Sequence, residues 1–353
     1  NYLTVSQCND VICKVKSSLW ERELGQNDFL KLRVGIGNRD ADIHYTYQER
    51  RFMLEDDNLQ NEMLQICENP KKLEQVPISV SLFENYISGV VGPRVDVLAF
   101  AKGLILQMVT YYSYDEFKIV LLVDPAEMKE FETLRWVPHL WDNEKKQRLI
   151  ATNPAELKQI SAYIEQVMKW RIPLHDEERR DCKPYYMILA LDRKLANKAD
   201  MLKLLYQQKS GINVGVITLY DAIKDLPKEC TTVMELKGNS GRIFNKKDIS
   251  GERVTFTPDI YIRGSLDLCN MQLANIQLDI MATAYNLPKM LTFLEMYRVG
   301  KIEHLNALSR WKENDPTVSL EVPVGVDTFG ELFKLDLHEK YHGPHGLVAG
   351  MTG

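Results

Sequence analysis

Long apolar runs are missing from this 353-residue chain. None approaches the roughly 20 residues that a membrane-spanning helix needs, so these residues are expected to sit in water. A surplus of positive charge is missing too. The 44 Lys and Arg are outnumbered by 49 Asp and Glu, interleaved along the chain, which removes any global electrostatic reason to expect nucleic acid as a partner. Cysteine is sparse: Cys8, Cys13, Cys67, Cys182, Cys230 and Cys269 form no C-x-x-C pair and have no histidine at ligand spacing, which argues against a zinc site. Their irregular spacing in so long a chain argues against a disulfide framework, and they read as reduced thiols. The histidines His139, His342 and His345 form no ligand-spaced cluster either, and read as packing or turn residues. No initiating methionine stands at Asn1, and the chain stops inside a glycine-rich motif, so it reads as a piece of something longer.

What is present is an ordinary globular composition. With 45% hydrophobic residues, there is enough apolar material for two domains or for one and a half. Residues 1 to about 40 read as short strands joined by turns, with Gly35-x-Gly37 as a glycine turn that ends a strand. Gln48 to Cys67 has helical spacing, and Ile78-Ser-Val-Ser-Leu is a strand. An alternation then sets the fold class. Tyr86–Gly92 is strand into turn, Val95–Tyr111 helix and Phe117–Asp124 a buried strand. Further helices fall near 155–170 and 199–209, with strands at Tyr185–Asp192 and Gly211–Thr218. Near-continuous apolar strands alternating with helices predict an α/β fold, a mostly parallel sheet covered on both faces. Arg242–Asn245 and Arg253–Phe256 read as an antiparallel ribbon. Leu268–Tyr285 and Leu291–Tyr297 read as helices, Arg310–Pro316 as a loop, and 320–327 with 332–336 as a hairpin. Trp136 and Trp141 are expected to fill core.

The last residues, Leu347-Val-Ala-Gly-Met-Thr-Gly353, match the first half of a Walker A motif, G-x-x-x-x-G-K-[S/T]. Gly350 takes the place of the first glycine, followed by Met351, Thr352 and Gly353. The same pattern occurs earlier, in Tyr86-Ile-Ser-Gly-Val-Val-Gly92, with Gly89 and Gly92 as its glycines, so an internal duplication is the natural explanation. In that copy Arg94 replaces the second glycine, Val95 the lysine and Asp96 the magnesium-binding hydroxyl. A side chain at the glycine position obstructs the backbone amides that cradle phosphate, and an aspartate repels it. Asp192 ends a strand as a Walker B aspartate does, but Arg193 stands where a catalytic carboxylate is needed. Asp192 reads equally as a cap on the next turn. No catalytic residue is assigned.

Several stretches carry a family resemblance. They are Leu291–Asn306, Arg310–Thr317, Pro323-Val-Gly-Val-Asp327 and Asp336–Gly353, with Asp124-Pro125, Pro138-His139-Leu140 and Met168-Lys-Trp-Arg171 upstream. They resemble the type VII secretion ATPases of the EssC/EccC family, within the FtsK/SpoIIIE superfamily. The resemblance implies a P-loop NTPase fold of the RecA/FtsK kind. It divides the chain into a lead-in segment at 1–40 after a membrane-proximal region, a degenerate FtsK-like ATPase domain at 41–265, and the start of the first active one at 266–353. It further implies a parent protein that binds ATP and Mg2+, is anchored at the cytoplasmic face of a bacterial membrane, and assembles as a homo-oligomeric, hexameric ring with other type VII membrane components. That parent exports WXG-type proteins, while the complete domain here is inactive and structural or regulatory. A DNA translocase of the same superfamily is one alternative, though the acidic chain supplies no basic channel and makes DNA an unfavoured partner. A non-catalytic scaffold is the other.

Overall fold

The computed structural model describes residues 2–41, 62, 65, 72–175, 178–179, 182–248, 251, 253–278, 291–297, 299–326, 332–340 and 345–347. The chain forms two compact units, Asn1–Ile276 and Gln277–Gly353. The helix expected at Gln48–Cys67 lies outside the described residues apart from two positions.

The first unit is built on a ten-stranded sheet. In chain order its strands are β1 (Lys31–Asp40), β2 (Lys72–Ser81), β3 (Ile87–Val91), β4 (Phe117–Leu122), β5 (Ile150–Ala151), β6 (Tyr185–Ala190), β7 (Val214–Tyr220), β8 (Thr232–Lys237), β9 (Ser240–Asn245) and β10 (Val254–Pro258). Their spatial order is β2-β1-β10-β9-β8-β3-β7-β6-β4-β5. From β8 to β5 every pairing is parallel. From β8 to β2 every pairing is antiparallel, so the expected ribbon is the beginning of a longer antiparallel wing.

Among the described residues the α-helices of this unit include α1 (Val5–Cys13), α2 (Arg94–Tyr111), α3 (Pro154–Arg171), α4 (Arg193–Lys198), α5 (Asp200–Tyr206) and α6 (Ser265–Asn275). Residues of α1, α2 and α6 pack with one face of the sheet, and residues of α3, α4 and α5 pack with the other. Alternate residues of β4 divide accordingly: Ile119 and Leu121 join the first core, Val120 and Leu122 the second. That division is what the two-residue period of a strand requires when both faces are covered.

The first 30 residues have a definite structural task. From Gly103 to Tyr111 every residue of α2 is buried, and a helix apolar all round must be covered on both sides. The sheet covers one side. On the other, the Leu3 amide donates to the Tyr111 hydroxyl at 2.8 Å, the Trp20 indole donates to the Val109 carbonyl at 2.9 Å, and the Leu30 amide donates to the Tyr112 hydroxyl at 2.7 Å. The segment expected as a lead-in therefore packs as part of this unit, which continues past 265 through α6.

Three local expectations are corrected. Residues 5–13 are helical, not extended, because Thr4 and Gln7 form a reciprocal capping box at the start of α1. Gly35 and Gly37 lie inside β1, at two bulges, instead of in a turn that ends it. Trp136 is 64% exposed and fills no core.

The second unit contains α7 (Phe293–Met296), α8 (Ala307–Glu313) and the antiparallel hairpin β11 (Glu321–Val326) and β12 (Leu332–Asp336). The hairpin matches expectation. The expected loop at Arg310–Pro316 does not: α8 runs through Glu313, and the chain leaves helix only at Asn314-Asp315-Pro316.

Candidate functional site

In open α/β sheets, ligands bind beyond the carboxyl ends of the parallel strands. Here that edge carries the turn from β3 into α2. β3 is central, hydrogen-bonded to β7 on one side and β8 on the other. Gly89 lies within β3, whose last residue is Val91, and α2 starts at Arg94. Only Gly92 and Pro93 separate strand from helix, and proline has no N–H to offer. A phosphate cradle is made of successive backbone amides, and of the two residues in this turn only Gly92 carries an amide hydrogen.

Close packing explains both glycines. A Cβ on Gly89 would come within 2.7 Å of the Leu226 side chain, and one on Gly92 within 2.6 Å of the Leu236 carbonyl oxygen.

Arg94 occupies the edge beneath the turn. Its Nε donates to Glu127 Oε1 at 2.6 Å, and its Nη2 bonds the other oxygen of the same carboxylate. Nη1 donates to the Leu219 carbonyl at 2.9 Å and Nη2 to the Leu191 carbonyl at 3.0 Å. Leu219 belongs to β7, Leu191 follows β6, and Glu127 follows β4. One planar guanidinium thus ties the ends of three strand segments to the first residue of α2, the kind of forked contact for which arginine is suited. The hydrogen-bonded Glu127 carboxylate raises the Arg94 pKa further, against the opposing effect of burial.

The other expected residues surround this centre. Asp96 Oδ2 accepts from the Gly238 amide at 3.1 Å, fastening the β8–β9 turn to α2. Asp192 caps α4, its Oδ1 accepting from the Lys194 amide at 2.7 Å, which is the capping role. Arg193 pairs with Asp225 at 2.6 Å. An open cleft of about 680 Å³ lies alongside, lined by Gly92, Pro93, Arg94, Asp221, Glu235 and Lys237 among others. Lys237 lies 3.3 Å from Glu235, which Arg242 also bonds. Burial disfavours the Glu235 carboxylate, but Arg242 and Lys237 together hold its pKa below the ordinary value.

Arg94 and Lys237 in the cleft, and Arg193 and Arg242 near it, each have an acidic partner. At the centre of the arrangement the Arg94 guanidinium ties the start of α2 to Glu127 and to the carbonyls of Leu191 and Leu219. Glu127, its central acid, was not legible in the sequence: nothing in Asp124-Pro-Ala-Glu127 distinguishes it until the fold brings it to Arg94.

Gly350, Met351, Thr352 and Gly353, the expected second phosphate loop, lie outside the described residues, as does His342. His139 is fully buried, with its Nε2 2.9 Å from the Tyr112 carbonyl oxygen. Burial lowers its pKa to about 3.

The architecture is that of an α/β sheet protein with a P-loop-like strand-turn-helix at its carboxyl edge. No protein-family profile matches the chain. Over its full length it is 28% identical to the type VII secretion system protein EssC of Staphylococcus aureus strain NCTC 8325, and 24% identical to the ESX secretion system protein EccC of Geobacillus thermodenitrificans. It spans 24% of the length of each. Over its full length the chain is thus similar to the EssC/EccC type VII secretion proteins. Among solved structures it is similar to the cytoplasmic domain of the Thermomonospora curvata type VII secretion ATPase EccC, at 11% identity and a TM-score of 0.49, covering 79% of this chain and 35% of that one. A second, ATPases 2 and 3 of T. curvata EccC in complex with a signal sequence peptide, aligns at 14% identity and a TM-score of 0.48, covering 91% of this chain and 59% of that one.

Proposed function

We propose that the chain is part of the cytoplasmic motor region of a type VII secretion ATPase, and that its first unit is a motor-like domain that neither binds nor cleaves nucleotide. The observation that carries this reading is the Arg94 guanidinium, held by Glu127 and two strand-end carbonyls beside a turn of only Gly92 and Pro93. A nucleotide phosphate there would find neither a row of free amides nor an unpaired cation, and would meet Asp96 in the first turn of α2. The role left to the unit is structural or regulatory. In the parent protein, ATP and Mg2+ would bind at the loop that begins at Gly350, and hydrolysis would drive export of WXG-type proteins through a membrane-anchored homo-oligomeric ring.

The test is to titrate the 353-residue chain with a fluorescent ATP analogue and to assay phosphate release with Mg2+. No turnover above buffer is expected, and no saturable binding that responds to substitution at Arg94. Magnesium-dependent hydrolysis that is lost on Arg94→Ala would overturn the proposal.

A further inference from the structure

Two thiols far apart in sequence meet where α1 packs on α6. α1 buries Val5, Cys8, Val11 and Ile12, and α6 buries Leu266, Cys269 and Leu273, so Cys269 faces into the contact between them. The Asn9 side chain lies at the seam. Its Oδ1 accepts from Cys269 Sγ at 3.2 Å and from Cys13 Sγ, one helical turn further along α1, at 3.8 Å. Two sulfurs that share one acceptor at these distances lie no more than about 7 Å apart. Both are free thiols, Cys269 buried and Cys13 exposed.

We propose that Cys13 and Cys269 are a modification site: a thiol pair that closes to a disulfide when a low-molecular-weight disulfide such as glutathione disulfide accumulates. The exposed Cys13 reacts first. Its thiolate attacks one sulfur of the small disulfide, forming a mixed disulfide and releasing one small thiolate. The Cys269 thiolate then attacks the Cys13 sulfur, forming the protein disulfide and releasing the second small thiolate. The two protons lost by the cysteines end on the two released thiols, so one small disulfide is reduced for each protein disulfide formed. Burial raises the Cys269 pKa well above the usual thiol value, and the hydrogen-bonded Cys13 thiol raises it further. The second step is therefore the slower, and it accelerates with pH. The product ties α6, the last helix of the first unit, to α1, the first.

The experiment treats the 353-residue chain with glutathione disulfide, blocks remaining thiols by alkylation, and maps the peptides by mass spectrometry. A peptide joining Cys13 to Cys269 with the loss of two hydrogens is expected, restored to two alkylated cysteines by dithiothreitol. The oxidised chain should melt higher than the reduced one, a shift that Cys13→Ser abolishes. Cys13 is exposed, so this variant folds, and the mapping itself needs no variant. Cys13 fully modified yet carrying only glutathione would overturn the proposal, as would a bond from either residue to Cys8.

Discussion

Arg94 makes the fold's central turn depend on one side chain. Its guanidinium is 27% exposed and the Glu127 carboxylate 23%, so the pair is partly screened by solvent but not dissolved in it. Replacing Arg94 with Ala strands the Glu127 charge and leaves the carbonyls of Leu191 and Leu219 without this donor. Breaking a fully buried pair costs about 3–5 kcal/mol, and the partial exposure here brings the expected loss to about 2 kcal/mol. Arg94→Lys should recover only part of it, because an ammonium cannot present the fork that reaches one carboxylate and two carbonyls together. Urea denaturation of the three proteins checks both statements. If Arg94→Lys is as stable as the parent, the tie is a matter of charge alone and the forked geometry is irrelevant.

The turn between β3 and α2 carries a second prediction, which separates two glycines that look alike in sequence. A methyl at Gly89 would press on the ends of the Leu226 side chain, which can turn aside, whereas one at Gly92 would press on the Leu236 main-chain carbonyl, which cannot without moving β8. Gly89→Ala is expected to cost about 1 kcal/mol and Gly92→Ala about 3 kcal/mol, within the range for overpacking. Thermal melts that rank them in the other order would refute this account of the turn. The elements on either side were legible because their signals are long. The buried runs at Phe117–Leu122, Tyr185–Ala190 and Val214–Tyr220 and the apolar α2 leave little choice of structure. The short elements were not. α1 has only nine residues, and its apolar alternation outweighed the capping box that sets it. In α8 the Asn314-Asp315-Pro316 breaker concealed a helix that ends just before it. At the site, Arg94 stood out by departing from a motif, whereas Glu127 gains its role only through a contact 33 positions away in the chain.

The two units differ in how they are held together, and that difference sets the behaviour of the whole chain. In the first, β4, β6 and β7 are buried at every residue, between two layers of helices. In the second, no apolar side chain is buried among the described residues: Phe293 is 54% exposed, Trp311 74% and Phe333 55%. Burial of apolar surface is the main favourable contribution to folding, so protection against opening should follow it. Amides of β4, β6 and β7 are expected to exchange with deuterium at least about 1,000-fold more slowly than those of β11 and β12, given domain stabilities of about 5 kcal/mol or more. Limited trypsin digestion should remove residues after Ile276 first and leave a resistant fragment that retains α6. Equal protection in the two units would mean that the second is stabilised by something other than its own packing, and the first unit could not then be treated as the independent core of the chain.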